Sequence, residues 1–163
     1  MVTKNFSRAN QLLRNNRLEE AVIAYKNAIE RNPTFPWLYH NLGETFEKLG
    51  RLEEAIQCYQ DAISRGQKMP WSLYKVGKLL SRQNRKSEAS KFLKQAVALK
   101  SDVAQFQIAL GDVLQELGEQ EEAILAYKRA LEKTNSSALE TKLANLLQDS
   151  ESKTNKNDEE VNQ

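Results

Sequence analysis

The chain has 163 residues, 40% of them hydrophobic and 28% charged, and carries a formal net charge of +2. This length suits one globular domain with a core of its own, and so small a net charge gives no reason to expect a nucleic acid as partner. No apolar run exceeds five residues, so we expect no membrane-spanning helix, and the N-terminus lacks the apolar stretch of a secretory signal. The single cysteine, Cys58, argues against a disulfide framework or a thiolate metal site, and we expect a reducing, cytoplasmic setting.

Apolar residues follow helical spacing along most of the sequence, and no segment alternates with period two as a half-buried strand would. This spacing predicts an all-α fold. The predicted helices, in chain order, cover residues 3–15, 18–31, 36–49, 52–65, 70–83, 86–99, 103–117, 120–133 and 137–148.

One pattern recurs through these helices every 34 residues. The dipeptide Pro36-Trp37 returns as Pro70-Trp71, although the chain has only three prolines and two tryptophans. The other columns in this register are Ala21, Ala55, Ala89 and Ala123; Ala28, Ala62, Ala96 and Ala130; Tyr25, Tyr59, Leu93 and Tyr127; Ala9, Gly43, Gly77 and Gly111; and Asn16, Gly50, Asn84 and Gly118. So many columns in one register indicate a structural unit that is repeated four times.

Each unit is predicted to be two antiparallel helices joined by a tight turn. The Asn/Gly column lies between the two helices, and these residue types accept the positive φ that a helix-ending turn requires. The small Ala/Gly columns let the paired backbones approach closely, and a bulky side chain there would force the helices apart. Pro36 and Pro70 fit the first turn of a helix, where the missing N–H costs nothing.

A 34-residue helix–turn–helix unit that reads YHNLG…F…LG…A…Y…A in its second copy resembles the tetratricopeptide repeat. The resemblance implies a right-handed α-solenoid with four repeats in residues 2–135, and an additional helix, residues 136–148, that covers the last repeat. The implied repeats are 2–35, 36–69, 70–103 and 104–135. Residues 149–163 hold five acidic residues, two lysines and one aliphatic residue, so we expect a disordered polar tail there.

The sequence offers no constellation of residues for catalysis. His40 is the only histidine, and no nucleophile motif, glycine-rich phosphate loop or metal-ligand spacing accompanies it. Adjacent glutamates open three of the second helices, but neighbouring residues on a helix diverge by about 100 degrees, so we expect solvated charges rather than acid–base partners. The prediction is a protein that is not an enzyme and that holds no metal and no cofactor.

In the tetratricopeptide family the first helices of successive repeats line a concave face, and the resemblance therefore implies a binding groove. The residues predicted to contact a partner in it are Phe6, Asn10, Trp37, His40, Asn41, Glu44, Trp71, Tyr74, Lys75, Lys78, Arg82 and Asp112. Aromatic residues beside a basic set at i, i+3 and i+7 (Lys75, Lys78 and Arg82) are typical of anchors in binding sites. An alternative for Trp37 and Trp71 is that they pack against the preceding repeat.

The favoured hypothesis is a scaffold that binds another protein in this groove, through a short segment with acidic or C-terminal carboxylate character, with no nucleic acid and no membrane as partner. The alternatives are an accessory or regulatory module of a glycosyl- or sulfotransferase, and a self-assembling homo-oligomer. Some relatives clamp a chaperone C-terminus with lysine, arginine and asparagine side chains. Asn10, Asn41 and Lys75 fit that clamp, but Phe6 and Trp71 stand at its other two positions, which is too few matches to predict chaperone-tail binding.

Overall fold

The computed structural model describes the backbone of residues 2–161 and the side chains of residues 6–150. Within that backbone every regular element is an α-helix, which confirms the predicted all-α fold. The helices are α1 (Val2–Arg14), α2 (Leu18–Arg31), α3 (Pro36–Lys48), α4 (Leu52–Arg65), α5 (Pro70–Arg82), α6 (Lys86–Leu99), α7 (Ala104–Leu117), α8 (Gln120–Leu131) and α9 (Ser137–Val161). From α1 to α8, the observed ends fall within two residues of the predicted ones.

Eight of the helices described form four pairs, and the pairs stack in chain order as a helical solenoid. The two helices of each pair pack on each other: α1 on α2, α3 on α4, α5 on α6, and α7 on α8. The second helix of each pair also packs on the first helix of the next pair, and α9 packs on α8 in the same way. Because α1 touches α3 and α5 touches α7, the first helices lie side by side on one face.

Each pair turns through the same left-handed residue. The φ angles of Asn16, Gly50, Asn84 and Gly118 are 58°, 76°, 61° and 81°, which confirms the predicted positive-φ column. The next residue donates its N–H to the carbonyl five positions earlier, in the pairs Arg17 to Leu12, Arg51 to Phe46, Arg85 to Leu80 and Glu119 to Leu114, each at 2.9 Å. This bond is the 6→1 bond of a Schellman motif, and it requires a left-handed residue directly before the donor. Glycine and asparagine occupy the column because they tolerate that conformation.

Glycines of the first helices make room for a large side chain from the second helix. A Cβ atom at Gly43 would lie 2.9 Å from Cε1 of Tyr59, and one at Gly111 would lie 2.5 Å from Cε1 of Tyr127. Both tyrosines are fully buried as a result. The alanine columns are equally enclosed, as Ala55 with 0% exposure illustrates. Small residues therefore allow the close helix approach that the sequence predicts.

Replacing Ala55 by leucine is expected to lower the free energy of unfolding by about 1–3 kcal/mol, because three added carbon atoms find no free space beside a fully buried alanine. Urea denaturation followed by circular dichroism measures this loss. The matched control is Ala98→Leu on the exposed side of α6, which should change the free energy of unfolding by no more than about 0.5 kcal/mol. Equal midpoints for the two variants would contradict the tight packing of this column.

The last helix differs from the prediction at its C-terminal end. Its first leucines pack as predicted, since Leu139 and Leu143 are buried and α9 lies against α8. The predicted helix ended at residue 148 before a disordered tail, whereas the observed helix continues to Val161. No glycine or proline interrupts this stretch and opposite charges stand four residues apart in it, so the helix propagates from its packed half. Residues 162–163 of the predicted tail lie outside the described residues.

Candidate binding groove

The first helices α1, α3, α5 and α7 present one common face, which is called the groove from here on. The residues predicted to line it fall into three classes of exposure. Trp37, Lys78 and Arg82 are exposed. The half-buried residues are Phe6, Asn10, Asn41, Glu44, Trp71, Lys75 and Asp112. His40 and Tyr74 are buried, with 6% and 3% of their surface exposed, so they support the groove from beneath.

Tyrosines from the second helices hold polar residues of the groove. The hydroxyl of Tyr25 donates a hydrogen bond to Asn10 Oδ1 at 2.5 Å, that of Tyr59 to Glu47 Oε2 at 2.9 Å, and that of Tyr127 to Asp112 Oδ1 at 2.7 Å. Burial raises the pKa of Tyr25 to about 12, so its hydroxyl keeps its proton and acts as a donor. The sequence predicted this column only as part of the repeat. The signal for its second role is the spacing of 15 or 12 residues between each tyrosine and the polar residue that it holds.

The predicted basic set of Lys75, Lys78 and Arg82 does not act as one group in the structure, because Lys75 already forms an ion pair. Lys75 Nζ lies 2.9 Å from Oε2 of Glu47 and 3.8 Å from Oε1 of Glu44. Burial opposes ionisation of Glu47, but the hydrogen bond and charge of Lys75, together with a tyrosine hydroxyl, hold the pKa of Glu47 below its ordinary value. Asp112 is paired as well, since Nζ of Lys142 from α9 lies 2.6 Å from its Oδ1. These groove charges are therefore compensated within the chain.

Lys78 and Arg82 are the members of the basic set that form no ion pair within the described side chains, although the charge of Lys78 also helps to lower the pKa of Glu47. In the third pair Leu93 occupies the tyrosine column, so the second helix of that pair offers no hydroxyl to Lys78 as it does to the equivalent Asp112 in the fourth. Lys78 Nζ lies 5.5 Å from the centre of the Tyr74 ring. Within residues 6–150, no carboxylate lies within 4.0 Å of the charged nitrogens of Lys78 or Arg82. Exposed cations without a carboxylate partner are free to bind an anionic group.

The two tryptophans of the groove are in different environments. The ring of Trp71 lies 4.9 Å from that of Phe106, which also stacks on Tyr74 at 5.0 Å. Trp71 thus packs on the following pair, whereas the alternative drawn from the sequence was packing on the preceding one. Trp37 lies edge-on to His40 at 5.2 Å and keeps 41% of its surface exposed. Of these two tryptophans, Trp37 is therefore the one with more surface open to a partner.

His40 joins the second and third pairs through a buried hydrogen bond. Its Nδ1 lies 2.8 Å from Oγ of Ser72, and its Nε2 lies 4.0 Å from a carboxylate oxygen of Glu44. Burial is the main reason that the pKa of His40 falls to about 4, so the imidazole is neutral at pH 7. Serine, histidine and a carboxylate are also the components of a hydrolase triad. Here Ser72 has 0% exposure, so a substrate has no access to its hydroxyl and the contact holds the pairs together instead.

The described side chains contain no group of three or more His, Cys, Asp or Glu residues that could hold a metal ion. Cys58 is buried, and burial raises the pKa of its thiol to about 12, so it packs as an unreactive thiol. None of the helices in the described part of the chain combines the length and the apolar character needed to cross a bilayer.

Family models match the sequence in three overlapping segments. One described as TPR repeat matches residues 9–50, and two described as Tetratricopeptide repeat match residues 34–102 and 74–138. The chain belongs to the tetratricopeptide repeat family. The matches extend from residue 9 to residue 138 without a gap, so all four helix pairs of this tetratricopeptide repeat protein contribute to them.

Solved structures share the tetratricopeptide repeat solenoid. "MamA 41-end from Desulfovibrio magneticus RS-1" has a TM-score of 0.82 and 18% identity, over 94% of this chain and 88% of that one. "Crystal structure of MamA protein" has a TM-score of 0.75 and 23% identity, over 81% of this chain and 72% of that one. "Crystal structure of YrrB: a TPR protein with an unusual peptide-binding site" has a TM-score of 0.73 and 23% identity, over 79% of this chain and 66% of that one. No curated protein matches the sequence significantly. At these identities the likeness establishes the fold.

Proposed function

We propose that this tetratricopeptide repeat protein is a non-catalytic interaction scaffold whose groove binds a short segment of a partner protein, with an acidic side chain or a C-terminal carboxylate on that segment. The observation that carries the proposal is the free charge of Lys78 and Arg82 in a groove whose neighbouring charges are paired. Stacked helical repeats commonly use such an extended face for binding, and YrrB is described as having a peptide-binding site.

The chemistry of the groove favours an anionic segment over a neutral one. Lys78 and Arg82 are exposed, so an incoming carboxylate loses little hydration when it binds them. The side chains of Lys75 and Glu47 are already held by their ion pair, so they lose little further conformational entropy when a partner binds. Trp37 adds an aromatic surface in the next pair along the groove. A partner segment therefore meets a cationic centre and an apolar contact.

The charge-reversal variant Lys78→Glu with Arg82→Glu is expected to abolish partner binding while leaving the helix content unchanged. Partners captured on the immobilised wild-type chain are identified by mass spectrometry, and the segment that binds is then made as a synthetic peptide. The affinity of that peptide for each variant is measured by fluorescence anisotropy. Wild-type affinity should fall as salt rises from low to physiological concentration, because the charges involved are exposed and therefore screened.

The matched control reverses two exposed cations on second helices, Lys91→Glu and Arg129→Glu, so the net charge changes by the same amount away from the groove. This control should bind the peptide as the wild type does. If the groove variant retains full affinity, or if the control loses as much as the groove variant, the proposed binding face is wrong. Far-UV circular dichroism on both variants verifies that each remains folded.

A further inference from the structure

Two columns of the repeat determine the character of one place in the groove, between α5 and α7. The first is the column of Leu93, which replaces the tyrosine of the other pairs and leaves Lys78 without a hydroxyl partner. The second is the column of Ala109, which varies along the chain and holds Ser7, Asn41 and Lys75 in the first three pairs. The tyrosine column is broken in the third pair, so the groove differs locally from the other pairs at Lys78. Such positions are expected to serve function rather than folding.

A hollow of about 370 Å³ borders both Lys78 and Ala109. The hollow lies between the third and fourth pairs and is bordered also by the connection that leads into α9. Its lining combines the largely apolar residues Tyr74, Ala104, Ile108 and Ala109 with the polar residues Gln105 and Thr134 and the charged residues Lys78 and Asp112. Because Lys142 lies 2.6 Å from Asp112, the negative charge on that side is offset, while the positive charge of Lys78 is not. The hollow is therefore apolar below and cationic on one side.

We propose that this hollow is the specificity pocket of the groove, and that it takes one aliphatic side chain of the partner segment while Lys78 binds an acidic side chain two residues away. The inference rests on the proposed function and adds the order of side chains that the partner must present. In an extended segment, residues i and i+2 lie on the same face. An aliphatic and an acidic side chain at that spacing reach the floor and Lys78 together.

The apolar half of this recognition supplies the larger share of the affinity. Burying an aliphatic side chain against Ile108 and Ala109 removes apolar surface from water on both sides of the contact. The acidic half sets the order of the two side chains and contributes less, because Lys78 is exposed and its charge is screened. The two halves can therefore be separated by substitutions in the pocket and in the ligand.

The probe is a library of acetylated and amidated heptapeptides, with Asp-x-Leu fixed at the centre and the other positions varied. Blocked ends remove the terminal charges, so a free C-terminus does not contribute to binding. Two counter-libraries carry Asn-x-Leu and Asp-x-Gly. The wild-type chain should retain Asp-x-Leu over Asp-x-Gly by at least about tenfold, and over Asn-x-Leu by about threefold at low salt.

Substitutions in the pocket should separate the two preferences. Ala109→Phe fills the hollow and should remove the preference for leucine while keeping the preference for aspartate. Lys78→Met should do the reverse. Ala98→Phe, at an exposed site on α6, is the control and should leave both preferences unchanged. If Ala109→Phe disturbs the helix content, Ile108→Ala replaces it, and the loss of the pocket floor should weaken the leucine preference by several-fold.

Equal retention of the three libraries by the wild type would overturn the inference, and so would wild-type behaviour of a folded Ala109→Phe variant. These failures are distinct from failure of the proposed function. If Lys78→Glu with Arg82→Glu loses the captured partner but Ala109→Phe keeps it, the groove binds a partner without this pocket. If both variants keep the partner at full affinity, the groove is not the binding face and the pocket inference fails with it.

Discussion

Phe106→Ala is expected to lower the free energy of unfolding by about 3–5 kcal/mol, the range for truncating a fully buried aromatic ring. Phe106 has 0% exposure and joins the third and fourth helix pairs, because its ring contacts Trp71 at 4.9 Å and Tyr74 at 5.0 Å. In a solenoid each pair is stabilised mainly by its neighbours, so a weakened junction also reduces the coupling between the pairs on either side. Urea unfolding followed by circular dichroism gives the loss of free energy. Because the chain has two tryptophans, Trp71 fluorescence is recorded in a Trp37→Phe background, where it reports the junction itself.

The matched control is Phe92→Ala on α6, where the ring is only half-buried and takes no part in the Trp71 cluster. Phe92→Ala should lower the free energy of unfolding clearly less than Phe106→Ala does. If the tryptophan signal of Phe106→Ala changes at a lower urea concentration than the helix signal, the junction has become the weakest part of the stack. A loss below about 1 kcal/mol for Phe106→Ala would contradict the role of this ring as the contact between the pairs.

The sequence predicted most of this fold because the signals that determine it are local. A left-handed turn residue needs glycine or asparagine, so Gly50 and Asn84 mark helix ends without any knowledge of the tertiary contacts. Helical spacing gave the helices between such turns. The end of α9 was missed because a polar stretch with few apolar residues has two possible outcomes, a disordered tail or a helix propagated from the packed leucines before it. Composition alone does not separate them.

The groove could be predicted only in part, because the repeat register gives the position of a residue on its helix but not the partner with which its charge pairs. It placed Lys75 and Lys78 on the same helix, yet nothing in the sequence fixes the approach of Lys75 to Glu47, which is 28 residues away. Rotamers and neighbouring helices decide that contact. The replacement of the tyrosine by Leu93 in the third repeat was visible in the sequence, and so was the small residue Ala109 where the second and third repeats have Asn41 and Lys75. That Lys78 and Ala109 border one hollow between α5 and α7 required the structure.

His40 should make the stability of this protein depend on pH in a range where carboxylates contribute little. The groups that face its ring are Ser72, Glu44, Glu47 and Lys75, besides two aromatic rings. The pKa of His40 falls from 6.5 to about 4, mainly through burial; the charge of Lys75 also lowers it, and the charge of Glu47 offsets part of the shift. The folded chain therefore resists protonation at a site that takes a proton readily once the chain unfolds. It is the only histidine in the sequence, so its contribution is not mixed with that of another imidazole.

The sign follows from proton binding in the two states. Between pH 6.5 and pH 4 the unfolded chain binds more protons than the folded one, so stability is fully present above pH 6.5 and is lost as the pH falls toward the folded pKa. These two pKa values predict a loss of about 2 kcal/mol between pH 8 and pH 5. Urea unfolding at steps of half a pH unit measures it. His40→Gln keeps a hydrogen-bonding side chain next to Ser72 but does not titrate, so its stability should lack most of the dependence on pH. It should also be less stable than the wild type at pH 8, because the buried imidazole ring is lost. Equal slopes for the wild type and this variant would show that His40 is not the group that couples folding to pH.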